Sequence, residues 1–373
     1  MVMRLKSFVR WRPLGTVTTS SRLLLVVLIV TLGAHQSGAE QGGPFASVAV
    51  DADLAHYAPQ EQVAGGLRIQ GSETMYPLLT RLGMEFQRRQ PKVNVSVKGG
   101  GSSKAIEEFL QPLPIKAGMI TLKEERSTHF PFIATSRELF DAEIKEFVTQ
   151  HGHEPVAVPV AVDAVALYVH KDNPLTGLTL DQVDAIYSTT RNRGYKMEIK
   201  QWGQLGLSGR WERAPIQLYG RDLKSATRAF FLEHCLAGGD FTPGVHETPG
   251  AASVILEIGR NQMSIGYSGL GLQSSMVRVV PLAESEGMPF IAPTSSTMKD
   301  QTYPLRRVLY LYFDKAPESP LPPAAKEFLS FIMSQEGQEA VTKAGFFPLP
   351  VNQVKKSLVT LSMRSMPAQT ISQ

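Results

Sequence analysis

Three clusters of glycine and hydroxyl residues each lie between a predicted strand and the predicted helix that follows it. They are Gly71-Ser72-Glu73-Thr74, Gly99-Gly100-Gly101-Ser102-Ser103 and Gly220-Arg221-Asp222-Leu223-Lys224-Ser225-Ala226-Thr227. The first turn of a helix leaves backbone N–H groups unpaired and carries a partial positive charge. Hydroxyl donors beside those N–H groups can surround an oxyanion, so the three clusters together predict an anion cage. Serine and threonine also cap helices without a ligand, and each cluster taken alone is open to that interpretation.

Two arginines bear on this choice. Arg221 precedes Thr227 by six residues in the third cluster, and a guanidinium fork can bind two oxygens of a tetrahedral anion at once. This favours a ligand over simple capping. Arg137 is ambiguous, because it can pair with Asp141 four residues later on a helix or lie near the ligand.

Other chemistries lack their sequence patterns. No cluster has the spacing of a nucleotide-binding loop, and no Gly-x-Ser-x-Gly nucleophile turn occurs. His151 and His153 stand in a polar stretch without further ligands at metal-binding spacing, which indicates solvated surface histidines. No nucleophile and base can be paired from named residues. The sequence therefore predicts a binding protein rather than an enzyme, with no metal and no cofactor.

The elements that must position the clusters alternate between strand and helix. Leu67–Gln70 alternates like a strand and is followed by apolar residues at helical spacing, and Val93–Val97 alternates again. A second block opens with the apolar run Val156–Val169, which Pro159 and Asp163 interrupt and which is typical of buried strands. The pattern predicts an α/β fold with two lobes between which the chain crosses.

The positive charge of the chain is concentrated at its N-terminus. The sequence has 373 residues, 43% of them apolar and 19% charged, with a formal net charge of +4. Residues 1–39 hold five of the 38 basic residues and no acidic one, so the remainder has 33 basic and 34 acidic residues. General binding to nucleic acid or another polyanion therefore loses its support.

Residues 1–39 have the three parts of a secretory signal peptide: a basic stretch, the apolar run Leu23–Leu32, and the small residues Ser37-Gly38-Ala39. The run is shorter than the roughly 20 apolar residues of a spanning helix, which favours a cleaved signal over an uncleaved anchor. Cys235 is the only cysteine, so there is no internal disulfide, and it is too far from the leader to carry a lipid. We interpret Cys235 as a small buried hydrophobe and expect a soluble, non-lipidated periplasmic protein.

Seven segments resemble the substrate-binding protein of bacterial phosphate ABC transporters, in order from about Leu67 to Pro350. They are Gly71-Ser72-Glu73-Thr74-Met75-Tyr76-Pro77, Gly99 to Ser103, Thr135-Ser136-Arg137-Glu138-Leu139, Val160-Ala161-Val162-Asp163-Ala164, Tyr219-Gly220-Arg221-Asp222, Ile265-Gly266-Tyr267-Ser268-Gly269 and Ser334-Gln335-Glu336-Gly337-Gln338. The resemblance implies the type II periplasmic binding protein fold. In that fold, two α/β lobes with mixed sheets and flanking helices are joined by two hinge crossings and close over the ligand.

The resemblance also implies boundaries and a binding set. Domain I would comprise residues 67–162 and 276–353, and domain II residues 163–275. Residues 1–39 would be the signal peptide, 40–66 a flexible linker and 354–373 a C-terminal tail. Carried over by position, the phosphate-binding residues would be Ser72, Thr74, Ser102, Ser103, Arg221, Ser225, Ala226 and Thr227.

The sequence departs from the family just before Thr135. Where the family usually places an aspartate that accepts the phosphate proton, this chain has Pro131, and residues 112–129 look like an insertion. The missing carboxylate predicts weak discrimination between phosphate and sulfate, unless Glu124 or Glu125 folds back into the cleft.

Two functions remain open at this point. The first is an exported, monomeric solute-binding protein, which captures inorganic phosphate or a similar tetrahedral oxyanion and delivers it to an ABC transporter permease. The second is an exported phosphate sensor or interaction protein of the same fold that lacks tight phosphate binding.

Overall fold

The computed structural model describes residues 48–111, 129–272 and 274–363. In chain order the strands are β1 (Gly65–Gly71), β2 (Val93–Lys98), β3 (His129–Thr135), β4 (Val156–His170), β5 (Leu178–Thr179), β6 (Gln217–Arg221), β7 (Val245–Thr248), β8 (Ser264–Gly269), β9 (Val277–Val280), β10 (Leu282–Ala283) and β11 (Arg306–Phe313). The α-helices are α1 (Tyr76–Arg89), α2 (Ser102–Leu110), α3 (Asp141–His151), α4 (Leu180–Tyr187), α5 (Ala226–Leu236), α6 (Ala251–Arg260), α7 (Ser295–Lys299), α8 (Pro323–Ile332), α9 (Gln335–Lys343) and α10 (Val351–Met363).

The first lobe is built on β1, β2, β3, β11 and the first half of β4. β1 lies between β2 and β3 and is parallel to both, whereas β11 is antiparallel to β3 and β4. Successive residues of a strand face opposite sides of a sheet. Phe132 accordingly belongs to the core that includes α1 and α8, and Ile133 to a second cluster with α2 and α3. Helices therefore cover both faces of this sheet.

The second lobe is built on the other half of β4 with β6, β7, β8 and β9. β6 is parallel to β7 and β8, while β4 is antiparallel to β8 and β9. The helices α5 and α6 pack against β6. Cys235 of α5 is fully buried and free, as predicted, and burial raises the pKa of its thiol.

The strand β4 joins the lobes. Residues Val156–Ala164 pair with β11, and Val165–Val169 pair with β8. Pro159 does not end the strand, because the register of the β4–β11 pair shifts there and skips Val160, as in a β-bulge. The first crossing therefore lies at Ala164–Val165, close to the boundary predicted from sequence.

The return crossing lies later than the sequence suggested. β9 pairs with Leu167–His170 of β4, and β10 pairs with β5, so both belong with the second lobe. β11 is the next strand of the first lobe. We therefore propose a domain boundary between Ala283 and Arg306, in place of residue 276.

The segment before β1 packs as part of the folded body, although the sequence suggested a flexible linker. Residues 48–64 form no helix or strand, yet Leu54 and Val63 are each only 4% exposed. The Tyr57 hydroxyl donates to the Glu327 carboxylate at 2.8 Å, and the Tyr57 N–H donates to Glu336 at 2.7 Å. At the other end, residues predicted as a tail form most of α10.

The predicted signal peptide and residues 112–128 of the predicted insertion lie outside the described residues, whereas the last residue of that insertion, His129, begins β3. Over the ranges that are described, no helix is both long enough and apolar enough to cross a bilayer.

Candidate anion-binding site

The third predicted cluster meets the first two across the cleft between the lobes. The Oγ1 atoms of Thr74 in the first lobe and Thr227 in the second lie 3.3 Å apart. The Ser103 N–H donates to the Lys224 carbonyl at 3.2 Å. The lobes are thus in hydrogen-bonded contact at the predicted site.

Within the first lobe, the first two clusters are joined by their backbones and by one carboxylate. The Gly101 N–H donates to the Gly71 carbonyl at 2.9 Å, and the Gly100 N–H donates to Glu73 Oε1 at 2.5 Å. A Cβ atom at Gly99 would collide with the Glu73 carboxylate. Glu73 therefore fixes the glycine loop that leads into α2, a role that sequence reasoning did not identify.

The glycine loop also needs the freedom of glycine where it meets the second lobe. Gly101 has a φ of +92°, and a Cβ atom there would lie 2.5 Å from the Lys224 carbonyl oxygen. A side chain would thus strain the backbone and hold the lobes apart.

The hydroxyl donors of the first lobe are almost fully buried. Ser72 is 4% exposed, and its Oγ accepts the Met75 N–H at 3.3 Å in the turn before α1, which leaves its own hydrogen for another acceptor. Ser102, the first residue of α2, is 1% exposed, and its Oγ has no partner among the described residues. Buried hydroxyls are normally hydrogen-bonded, so Ser102 is a candidate donor to a ligand.

The third cluster places a helix N-terminus at the cleft. Ser225 caps α5, since its Oγ accepts the Thr227 N–H at 3.2 Å. Ala226 is the first helical residue, so its N–H has no acceptor within its own helix. This end of α5 combines the positive helix dipole with a donor that points out of the helix.

Arg221 is the residue of the site that most strongly indicates an anionic ligand. It ends β6 and is 1% exposed, and its Nη2 donates to the Pro249 carbonyl at 3.4 Å. Its Nε and Nη1 have no acceptor among the described residues. Burial lowers the pKa of this guanidinium, and nearby Asp222 opposes the shift. A buried guanidinium with unpaired donors is costly, and a tetrahedral anion supplies the missing acceptors.

The structure brings all eight residues predicted from sequence to this junction. Seven are buried and Ser103 is half-buried. Their contact with an anion stays a prediction. Ser225 performs the capping that was its simpler interpretation, whereas α1 has no side-chain cap among the described residues.

Two charged residues next to the site were missed. Arg307 of β11 donates through Nε and Nη2 to Asp163 Oδ2, at 3.0 and 2.7 Å. Its Nη1 donates to Thr227 Oγ1 at 3.0 Å. Asp163 was visible in the sequence as a charge inside an apolar strand, and a buried charge requires a partner. The identity of that partner depends on tertiary pairing of β4 with β11, which no local pattern reveals.

The remaining predicted side chains have structural partners. The Arg137 fork binds Glu143, with Nη1–Oε2 and Nη2–Oε1 distances of 2.7 and 2.6 Å, so the proposed pair with Asp141 is wrong. The interpretation of the histidines as solvated is also wrong. His151 and His153 lie 3.1 and 3.2 Å from the two carboxylate oxygens of Asp314 and are largely buried. No metal-binding cluster occurs in the described ranges.

Pro131 does not lie at the site. The lack of a carboxylate at this position therefore gives no reason to expect weak discrimination between phosphate and sulfate. Pro131 is exposed, pairs in register with Arg68, and precedes the end of β3 at Thr135 by four residues. At about 3.3 Å per residue, that is roughly 13 Å along the strand. A carboxylate at this position would face solvent. Glu124 and Glu125 lie outside the described residues.

Comparison with known proteins matches this architecture. A family model described as a PBP superfamily domain matches residues 57–336. The phosphate-binding protein PstS of Pseudomonas aeruginosa is 39% identical over 342 residues, covering 92% of this chain and 99% of the relative. This chain belongs to the PBP superfamily, in the family of PstS.

Further relatives agree with this family. PstS of Bacillus subtilis is 25% identical over 292 residues, covering 78% of this chain and 83% of that protein. Among solved structures, a phosphate ABC transporter substrate-binding protein with bound phosphate from Clostridium perfringens has a TM-score of 0.60 at 23% identity, covering 76% of this chain and 100% of that chain. An ABC-type phosphate transport receptor from Vibrio cholerae has a TM-score of 0.55 at 21% identity, with the same coverage of both chains. These two similarities show the fold, and they confirm the two-lobed α/β class expected from the sequence.

Proposed function

We propose that this chain binds inorganic phosphate between its lobes and delivers it to an ABC transporter permease, without catalysing a reaction. The single observation that carries the proposal is Arg221, which is buried at the junction of three loops and whose Nε and Nη1 have no acceptor in the described part of the chain. The unpaired Ser102 hydroxyl and the N-terminus of α5 add neutral donors at the same junction. A small tetrahedral anion fits this mixture of one charge and several short donors.

The relatives support phosphate over other tetrahedral anions. PstS of Pseudomonas aeruginosa is named a phosphate-binding protein and is similar to this chain along nearly its whole length. Delivery to a permease is part of the proposal because the Clostridium and Vibrio proteins of this fold are named for phosphate transporters. Export through residues 1–39 to the periplasm, and a monomeric state, belong to the same proposal.

Capture requires the lobes to move. The buried donors cannot be reached through the closed junction, where Thr74 contacts Thr227 and Ser103 contacts Lys224. The ligand therefore enters when the lobes are apart, and their closure removes it from water. This order suits a carrier, which must hold its ligand during diffusion and release it when a partner separates the lobes.

The alternative function, a sensor without tight phosphate binding, no longer has a supporting observation. It rested on Pro131 in place of an aspartate, and that residue faces solvent away from the site. The unpaired donors of Arg221 instead favour tight binding.

Isothermal titration of the purified chain, freed of bound phosphate by unfolding and refolding, tests the proposal. We expect tight binding of phosphate and arsenate, weaker binding of sulfate, and no turnover. Absence of phosphate binding would refute the proposal. Delivery is tested separately, by stimulation of the cognate permease ATPase with the phosphate-loaded chain.

A further inference from the structure

We propose that Arg307 is a positioning residue that couples lobe closure to ligand retention through the Thr227 hydroxyl. The inference rests on the proposed phosphate function and deepens it. Arg307 itself need not touch the anion, because each of its three guanidinium nitrogens already donates to a protein acceptor.

The bond between Arg307 and Thr227 spans the two lobes. Arg307 belongs to β11, whose partners β3 and the first half of β4 form the first lobe. Thr227 lies in the first turn of α5 in the second lobe. The 3.0 Å distance between Arg307 Nη1 and Thr227 Oγ1 therefore exists only while the lobes are together.

The bond also orients the Thr227 hydroxyl. A guanidinium can only donate, so Thr227 Oγ1 accepts from Arg307 and its own hydrogen points elsewhere. The Thr74 Oγ1, at 3.3 Å, is one acceptor within reach, and an oxygen of an anion held by the first cluster would be another. An oriented donor need not reorganise when the ligand arrives, and donation to it from a cation strengthens the bond that it makes in turn.

Arg307 is held firmly enough to do this. Two of its donors reach Asp163 Oδ2, and the exposed fractions of Arg307, Asp163 and Thr227 are 4%, 1% and 0%. Gly269 leaves the space that this arrangement needs. A Cβ atom there would lie 3.1 Å from Arg307 Nη2 and 3.2 Å from Asp163 Oδ2.

A kinetic asymmetry follows from this geometry. Phosphate meets a chain whose lobes are apart, so the encounter does not use the Arg307–Thr227 bond. Release requires the bond to break. Loss of the bond should therefore raise the dissociation rate and leave the association rate unchanged, whereas a general loss of structure would lower the fraction of active protein.

The variant that tests this is Arg307→Lys. Lysine keeps a positive charge for Asp163, but one ammonium cannot reach Asp163 and Thr227 together as the planar fork does. We expect stopped-flow measurement with phosphate to show a dissociation rate raised about 10-fold, the equivalent of one charge-assisted hydrogen bond. The association rate should stay within about twofold. Arg306→Lys is the matched control, because Arg306 donates to the Met298 carbonyl and not to the site.

A double-mutant cycle separates positioning from a merely structural role. In a Thr227→Val background, Arg307→Lys should change the dissociation rate by less than about twofold, since its target hydroxyl is gone. Thr227→Ser should restore the full effect. Equal effects of Arg307→Lys with and without the Thr227 hydroxyl would overturn the inference, as would a lowered association rate with unchanged dissociation.

Failure of the inference and failure of the proposed function give different results. Wild-type protein that does not bind phosphate refutes the function and with it the inference. Wild-type protein that binds phosphate, with an unchanged dissociation rate in Arg307→Lys, refutes the inference alone. If Arg307→Lys does not fold, Asp163→Asn carries the same test. It loosens the guanidinium, and a dissociation rate equal to wild type would then overturn the inference.

Discussion

Two buried arginines flank the site, and they differ in how their donors are used. Arg307 in the first lobe donates through Nε, Nη1 and Nη2 to protein side chains. Arg221 in the second lobe makes one long bond through Nη2 and leaves Nε and Nη1 unpaired. Both are almost fully buried. Burial alone therefore does not distinguish an arginine whose donors bind other protein groups from one whose donors are left for a ligand.

The number of unused donors makes that distinction. A guanidinium whose donors bind acceptors of the protein stabilises the folded state, because removing it leaves those acceptors unpaired. One with unused donors reduces the stability of the empty protein and gains its acceptors only on binding. Arg137 lies between the two: both of its Nη atoms donate to Glu143 and its guanidinium stacks 3.8 Å above the Phe140 ring, but its buried Nε has no acceptor among the described residues.

The variant that tests this difference most directly is Arg221→Met. We expect phosphate affinity to fall by about 2 kcal/mol or more, the cost of removing one partner of a buried charge-assisted contact. The free energy of unfolding without phosphate should not fall, because the unpaired charge leaves with the side chain. Titration calorimetry and urea unfolding measure the two quantities.

The matched comparison for Arg221→Met is Ser72→Ala, which removes one neutral donor from the same site. It should cost about 1 kcal/mol of phosphate affinity. If Ser72→Ala weakened binding more than Arg221→Met does, the central role of Arg221 would be wrong.

The sequence predicted the parts of the site that are local. A strand, a glycine or hydroxyl turn and a following helix are each encoded within a few residues, so Ser72, Ser102 and Arg221 could be named in advance as candidates that the structure brings to one junction. Arg307 and Glu73 could not, because their roles depend on contacts between loops and strands far apart in the chain. The prediction that His151 and His153 are solvated was wrong for the same reason, since their partner Asp314 lies more than 160 residues later in the chain.

The error over Pro131 has a different origin. Pro131 stands just before Thr135 in the sequence, but nearness in sequence along a strand does not place a side chain at the strand's end. In β3, however, only the residues at its carboxyl end lie beside the first cluster, where the Ser72 N–H donates to the Ala134 carbonyl at 2.9 Å. Position within a strand thus decides whether a residue can reach a site at the edge of a parallel sheet.

Another test concerns Arg137, whose two Nη atoms are paired with Glu143. Arg137→Met should lower the free energy of unfolding by about 2 kcal/mol, because Glu143 loses both hydrogen bonds to a charged partner. Phosphate affinity should change by less than about twofold, since Glu143 is not part of the site. Urea unfolding and calorimetry of this variant give the reverse of the pattern expected for Arg221→Met. A large loss of affinity would place Arg137 near the ligand, the alternative that the sequence left open.

The smallest expected effect is that of Pro131→Asp. If an aspartate here could accept the phosphate proton, the variant would strengthen the preference for phosphate over sulfate, which has no proton to donate near neutral pH. The exposed position of residue 131, about four residues or roughly 13 Å before the end of β3, puts such a carboxylate out of reach of the cage. We therefore expect the ratio of phosphate to sulfate affinity, measured by competitive titration, to stay within about twofold of wild type, the scatter for sites that share no partner. A ratio raised about tenfold or more, equal to 1.4 kcal/mol, would mean that residue 131 reaches the anion and that β3 does not run as described.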